Sequence, residues 1–244
     1  MKKTEILESI ISKLLKGKIY KIVFIGDSIT STEWVHPNWR EIVEYVLKYY
    51  LCDRFEDWTT SHWNIRCINA GLNGGGTDDF LKYIEKEILT YKPDLVFCIG
   101  TDADVSKGMS AKVHSKNVAK IKNILSKNVP YYVFGTDIAS GDKAKNASYL
   151  LHLKEVKKLK INQNEVFINL FREFQNYDPT PFFTFMLPKD ELGGREPGSL
   201  DYVHPNSLGN AYLAKILLQK VFGISFNPEK YIEDTIKGKK YPRF

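Results

Sequence analysis

Five short apolar runs, each closed by glycine, asparagine or a polar loop and separated from the next by a longer helix-like stretch, constrain this chain most. They lie at 19–25, 65–69, 94–100, 131–135 and 165–169. Runs rich in β-branched and aromatic residues between turn residues read as buried strands. The spacing predicts helices over 77–89, 111–127 and 143–160, and a further helix running through Ile42, Val43, Val46 and Leu47 after Pro37. Strands alternating with helices imply a parallel sheet covered on both faces. The expected architecture is therefore α/β, a three-layer sandwich whose five-stranded parallel sheet is flanked by helices. With 244 residues, no repeats and no low-complexity linker, the chain reads as one domain over 1–244. Its periphery comprises an amphipathic N-terminal helix (1–17), a lid-like loop (177–203) and a C-terminal tail (225–244) carrying a short helix at 229–236.

The first strand ends abruptly in KIVFIGDSIT, which puts Gly26, Asp27 and Ser28 at its C-terminal end. Open α/β sheets place their ligands there. From these residues alone, Ser28 is either a reachable hydroxyl in a cleft or the N-cap of the next helix. The second chemical signal is DYVHPNSLGN, in which Asp201 and His204 stand three apart just before a helix predicted over 207–222. Such a turn lets a carboxylate reach the ring of its own histidine and fix its tautomer. A metal half-site and a helix-capping turn are the other readings of that pair, and the metal is disfavoured because no second His or Cys cluster accompanies it. Taken with Ser28, the pair completes a nucleophile, base and orienter set.

GDSIT, the glycine after NA in INAGLNGGGT, the strand ending at Gly100, and DYVHP before a terminal helix resemble, in order, the four blocks of the SGNH or GDSL-type hydrolases, an esterase and lipase family. The resemblance covers residues 22 to about 218. It implies a flavodoxin-like fold and a serine esterase working through an acyl-enzyme, with no metal and no organic cofactor. Carried over by position, Ser28 is the nucleophile, His204 the base and then the acid, and Asp201 the orienting carboxylate. The oxyanion hole would comprise the amides of Ser28 and Gly71 and an asparagine side chain two residues after the third-block glycine.

That last position holds Asp102, with Ala103 behind it. An ionised carboxylate donates no hydrogen bond and repels a developing oxyanion. Three readings follow: Asp102 is kept protonated by burial and donates; Thr101 or Asn73 supplies the donor; or the domain binds without turning over. Asp27, Trp34, Asn73, Thr101 and Phe183 are the candidate substrate-binding residues, with Trp39, Tyr177, Phe182 and Phe185 as further aromatics whose simpler role is packing. The expected reaction is hydrolysis of a short-chain acyl oxygen ester, acetyl foremost, on a carbohydrate or similar polar alcohol. An O-acyltransferase for a polysaccharide or glycoconjugate and an impaired binding module are the alternatives.

Composition narrows the partners. The net charge of +6 comes mainly from lysines spread over nearly every predicted helix, which reads as solvated faces rather than a phosphate track. Lys237, Lys239, Lys240 and Arg243 cluster in the tail. Expected partners are thus a small-molecule or carbohydrate ester, not nucleic acid. No apolar run approaches the roughly 20 residues that span a bilayer. Glu5, Glu8 and Lys13 interrupt what would be a signal sequence, so a cytoplasmic protein is expected. The three cysteines, Cys52, Cys67 and Cys98, have no metal-like spacing and are expected to be reduced and structural.

Overall fold

Each predicted apolar run becomes a strand whose side chains alternate between two helical layers. The computed structural model describes residues 3–187 and 196–239. In it, β1 (Tyr20–Gly26), β2 (Ile65–Gly71), β3 (Leu95–Ile99), β4 (Tyr131–Gly135) and β5 (Glu165–Ile168) form one parallel sheet in the order β2-β1-β3-β4-β5. The helices are α1 (Lys3–Leu14), α2 (Trp39–Phe55), α3 (Trp58–Asn64), α4 (Thr77–Tyr83), α5 (Asp102–Ser106), α6 (Ala111–Asn128), α7 (Lys143–Val156), α8 (Leu170–Phe174), α9 (Ser207–Leu217) and α10 (Pro228–Ile236).

The two-residue period of the strands divides the core. Ile22, Phe24, Leu95, Phe97 and Val133 face a layer built by α1, α2, α8 and α9. Val23, Ile25, Val96, Cys98, Tyr132 and Phe134 face Phe80 of α4 and Val118, Ile121 and Leu125 of α6. On the first face Phe24 lies edge-on to Trp39 and stacks on Phe97, with centroids 5.4 and 5.3 Å apart. Trp39 is fully buried, so it is a core residue and not part of a cleft wall.

Several boundaries differ from expectation. The helix expected over 77–89 is α only to Tyr83 and continues as a π turn (Ile84–Ile88) and a 3₁₀ turn (Leu89–Tyr91). The last long helix likewise passes from α9 into a π turn at Leu218–Phe222, and α7 stops at Val156. Helix α3 was not anticipated. Of the lid-like loop expected over 177–203, residues 188–195 lie outside the described residues, as do Lys240 and Arg243 of the basic tail. The loop's flanks meet in an antiparallel bridge between Met186 and Leu200. Among the described residues no helix is long and apolar enough to cross a membrane.

Because all five strands are parallel, the segments after β1, β2, β3 and β4 emerge at one end of the sheet. Those segments bring Ser28, Asn73, Asp102 and Asp137 to the same edge of the molecule.

Candidate active site

Residue 26 must be glycine for β1, β3 and the following turn to meet. A Cβ there would lie 2.0 Å from the Ile99 carbonyl oxygen and 2.1 Å from Thr30 Oγ1. Beyond it the chain tightens, with the Thr30 and Ser31 amides both donating to the Asp27 carbonyl at 3.0 Å and the Ile29 amide to Asp27 Oδ1 at 3.0 Å. The turn is clamped from outside. Thr30 Oγ1 donates to the Ile99 carbonyl, Asn38 Nδ2 to the Ile29 and Ser31 carbonyls, and Arg40 Nε to the Thr30 carbonyl at 2.8 Å. No helix starts at Ser28, since the next one, α2, is capped by Asn38. The capping reading of Ser28 therefore fails, and its own N–H makes no hydrogen bond among the described residues.

The partner turn precedes α9. Asp201 Oδ1 accepts from the amides of Val203 and His204 at 2.8 and 3.0 Å, and Oδ2 lies 2.6 Å from His204 Nδ1. A carboxylate only accepts, so Nδ1 carries the proton and Nε2 is left to accept. Nε2 lies 2.8 Å from Ser28 Oγ. Burial acts to raise the Asp201 pKa, yet the hydrogen bonds from His204 and the Val203 amide outweigh it and hold the carboxyl below its ordinary range. Asn210, fully buried on α9, ties this turn to the first one: its Nδ2 donates to the Pro205 carbonyl at 2.7 Å, and its Oδ1 accepts the Trp39 amide at 2.9 Å. A serine hydroxyl bonded to an oriented imidazole can be deprotonated as it attacks a carbonyl carbon.

Trp34 covers the imidazole, its ring parallel to that of His204 within 7° at a centroid distance of 3.9 Å. Its Nε1 donates to Asn73 Oδ1 at 2.9 Å, so Trp34 and Asn73 join two loops beside His204. Both are substrate-binding candidates from sequence; Trp34 lies on the histidine, and Asn73 is joined to it through Trp34.

Other expected residues are placed differently. Gly71 is the last residue of edge strand β2, where amides alternate in direction: Leu72 N–H turns inward to the Gly26 carbonyl at 2.8 Å, and Gly71 N–H turns outward to Asn69 Oδ1 at 2.9 Å. Its amide is therefore committed and faces away from β1, so the expectation that it is an oxyanion donor is corrected. Gly71 is glycine for closeness, because a Cβ would come within 2.6 Å of the Ser31 nitrogen. In the same loop the Asn73 and Gly74 amides make no hydrogen bond among the described residues. Phe183 is 3 % exposed and belongs to the hydrophobic core, with almost no surface to offer a ligand.

Thr101 is also committed, its amide and hydroxyl both donating to Asp137 Oδ1 at 2.6 and 3.0 Å. Asp27 is fully buried, and burial, then the charges of Asp102 and Asp137, push its pKa well up. Burial and the Asp102 charge likewise raise Asp137 to about 6. Asp102 itself is 4 % exposed, and its Oδ2 accepts from Lys145 Nζ at 3.1 Å. An ammonium is the partner of a carboxylate, which accepts and does not donate. The contact thus favours an ionised Asp102 over a neutral one, while the Thr101 amide and hydroxyl are already given to Asp137.

Sequence reading missed Asp137, Lys145, Arg40 and Asn210, none of which sits in a recognisable local pattern. It also missed a second buried Asp–His pair, Asp104 Oδ2 to His114 Nδ1 at 2.7 Å. Asp104 takes the Thr77 amide and hydroxyl as well, which makes that pair a tie between α4, α5 and α6. Among the described residues no group of three His, Cys, Asp or Glu side chains is arranged to hold a metal ion.

Residues 22–217 match the model of the GDSL-like lipases and acylhydrolases. The chain belongs to that family. As a GDSL-like acylhydrolase it is a hydrolase of ester bonds, with the five-stranded α/β fold of its structural neighbours. One of these is a mutant of Axe2, an acetyl-xylooligosaccharide esterase from Geobacillus stearothermophilus, 18 % identical with a TM-score of 0.64 over 86 % of this chain and 96 % of that one. Another is the lipase/acylhydrolase from Enterococcus faecalis, 22 % identical with a TM-score of 0.60 over 84 % and 96 %. No curated protein sequence matches the chain.

Proposed function

We propose that this GDSL-like hydrolase is a serine esterase that removes a short acyl group, acetyl foremost, from a carbohydrate or similarly polar alcohol. The observation that carries the reading is the unbroken hydrogen-bonded chain from Ser28 Oγ through His204 to Asp201. Ser28 Oγ forms a bond to the acyl carbon while its proton passes to His204 Nε2. The carbonyl electron pair moves onto oxygen as the tetrahedral intermediate forms. Its collapse breaks the bond to the alcohol oxygen, which leaves with the proton held on Nε2. Water then attacks the acyl-Ser28 ester, gives its proton to the same nitrogen, and releases the acid and Ser28.

Asp201 keeps the proton on Nδ1 and stabilises the imidazolium when it forms. The Ser28 amide and the unengaged amides at Asn73 and Gly74 are the backbone donors for the oxyanion. A binding module would have no use for an oriented serine, histidine and carboxylate held at 2.8 and 2.6 Å, which weighs against an inert domain.

The short acyl group is argued from polarity. Asp27, Thr101, Asp102 and Asp137 are buried polar groups on the segments that follow β1, β3 and β4, at the end of the sheet that carries Ser28, and a long alkyl chain would need an apolar channel where they stand. The half-exposed indole of Trp34 offers a flat face for a sugar ring. The neighbouring acetyl-xylooligosaccharide esterase fold is in keeping with that choice.

The test is a chain-length series. Acetyl, butyryl and octanoyl p-nitrophenyl esters and an acetylated xylooligosaccharide are assayed with and without an added sugar acceptor. Acetyl should give the highest kcat/KM, and the sugar ester should release acetate. Preference for octanoyl would overturn the acyl assignment, and diversion of the acetyl group to the acceptor would make the protein a transferase.

A further inference from the structure

The lysines of this chain are spread along its length, but their acidic counterparts are not. Residues 111–160, which run from the start of α6 to just past α7, hold eleven lysines and no arginine against three acidic residues, a balance of +8 where the whole chain carries +6. Two of these lysines turn inward, Lys122 to Glu165 and Lys145 to Asp102. The three acids do little to offset the others. Asp137 is buried, Asp142 accepts the Ala144 and Lys145 amides as the cap of α7, and Glu155 is paired with Lys158 at 2.6 Å.

Helical spacing gathers the remaining charge onto one surface. Lys112, Lys116 and Lys120 follow one another at intervals of four along α6, and Lys154 and Lys157 stand four and seven residues after Leu150 on α7; all five are exposed. Among the described residues none of the five makes a salt bridge or a hydrogen bond. The two helices lie against each other, with the His114 and His152 rings stacked at 4.5 Å and His152 Nε2 donating to the Met109 carbonyl at 2.9 Å. Their lysines act on one point: beyond its hydrogen bond with Lys158, the charges of Lys158, Lys112 and Lys154 hold the Glu155 carboxyl below its ordinary range. Apolar side chains stand open to water in the same place. Val113 adjoins Lys112 and is 49 % exposed, and Leu150 and Leu151 on α7 are 49 % and 63 % exposed. A lone surface leucine is ordinary, whereas apolar side chains grouped among unpaired lysines mark a surface made for contact.

We propose that the outer face of α6 and α7 is a peripheral docking surface for an anionic lipid bilayer, with its lysines among the headgroup phosphates and Val113, Leu150 and Leu151 reaching the acyl boundary. Charge selects an anionic partner. The exposed leucines select a bilayer over a polyanion, since a nucleic acid or an acidic polysaccharide has no apolar layer to receive them. Composition agrees, because nucleic-acid surfaces favour arginine and exposed aromatic rings, whereas this face has no arginine and the one tyrosine of its helices, Tyr149, is buried. The inference does not depend on the esterase reading.

The test is co-sedimentation of the full chain with vesicles of phosphatidylcholine, alone or with about 30 % phosphatidylglycerol. Binding should require the anionic lipid at about 0.05 M salt and fall at least about tenfold at about 0.5 M. Each lysine at such a surface strengthens binding about fivefold, so Lys116→Gln, Lys120→Gln and Lys154→Gln together should weaken it about 10²-fold. The same change at Lys16, Lys18 and Lys86, which are exposed outside this face, should cost less than about fivefold. Leu150→Ser with Leu151→Ser leaves the charge unaltered and should weaken vesicle binding about tenfold. Should a variant fail to fold, the lipid and salt dependence of the unaltered chain still decides. No binding of the unaltered chain to anionic vesicles at low salt, or equal losses for the two sets of lysines, would overturn the proposal. Tighter binding to duplex DNA than to the vesicles, with the leucine variant unchanged toward both, would overturn it in favour of a polyanion site.

Discussion

Replacing Trp34 isolates a contribution to catalysis that geometry alone defines. Its indole lies 3.9 Å from the His204 ring and within 7° of parallel. When Ser28 gives up its proton, that ring becomes a cation against an aromatic face. Such contacts contribute about 0.5 to 2 kcal/mol, with the lower half applying to a ring partly open to water. Taking about 1 kcal/mol, Trp34→Ala should lower kcat about fivefold through this contact alone. Loss of the Nε1 bond to Asn73, which steadies the neighbouring loop, should bring the total to roughly tenfold at a net hydrogen-bond value of about 0.5 kcal/mol. Trp34→Phe retains a face without the Nε1 donor and should lose only about threefold. The assay is steady-state hydrolysis of p-nitrophenyl acetate, with kcat and KM resolved separately. A role in stabilising the imidazolium lowers kcat and spares KM, whereas a simple substrate wall would raise KM and spare kcat. Trp34→Ala at parental kcat would refute the reasoning.

Two further expectations concern the frame of the site. Gly26→Ala forces a Cβ to 2.0 Å from the Ile99 carbonyl, where backbone has to yield, and should cost about 3 kcal/mol or more in urea unfolding; a loss below about 1 kcal/mol would contradict the close approach. Asp137 has a folded-state pKa raised to about 6 by burial and by Asp102, above the ordinary carboxyl value, so the native state binds its proton more tightly and stability falls as pH rises through that interval. Asp201 is shifted the other way, so its contribution is present at neutral pH and is lost as pH falls through its depressed pKa. Asp137→Asn keeps an acceptor oxygen for Thr101 and should be more stable than the parent at pH 8 by about 1 to 3 kcal/mol, with the gain shrinking toward pH 4. Equal differences at both pH values would show that Asp137 carries no such penalty.

What could be read from sequence was whatever is local. The five strands announce themselves by apolar runs, Ser28 by the glycine and aspartate that end one of them, and His204 by the aspartate three residues before it. Lys145 and Asp137 were invisible because they belong to the segment after β4 and meet Asp102 and Thr101 after β3 only through the parallel order of the sheet. Gly71 misled because an amide's direction depends on register: one residue along edge strand β2 turns the N–H from the open edge toward β1. Helix α3 escaped because WTTSHWN has no apolar period. Asp57 sets its start by accepting the Thr59 and Thr60 amides, and Trp58 and Trp63 stay more than half exposed. Phe183, a substrate-binding candidate from its place in the segment before His204, is a core residue, because an aromatic in an irregular segment is as readily drawn inward.

The central claim is that Ser28 carries the acyl group between two half-reactions driven by His204. Rapid mixing with p-nitrophenyl acetate, acid quenching and mass analysis of the Ser28 peptide test it most directly. One acetyl group should appear on Ser28 per active enzyme molecule within the pre-steady-state burst, and it should be absent from Ser28→Ala and strongly slowed in His204→Ala. Full turnover by Ser28→Ala, or acetylation at any other residue with Ser28 unmodified, would contradict the account.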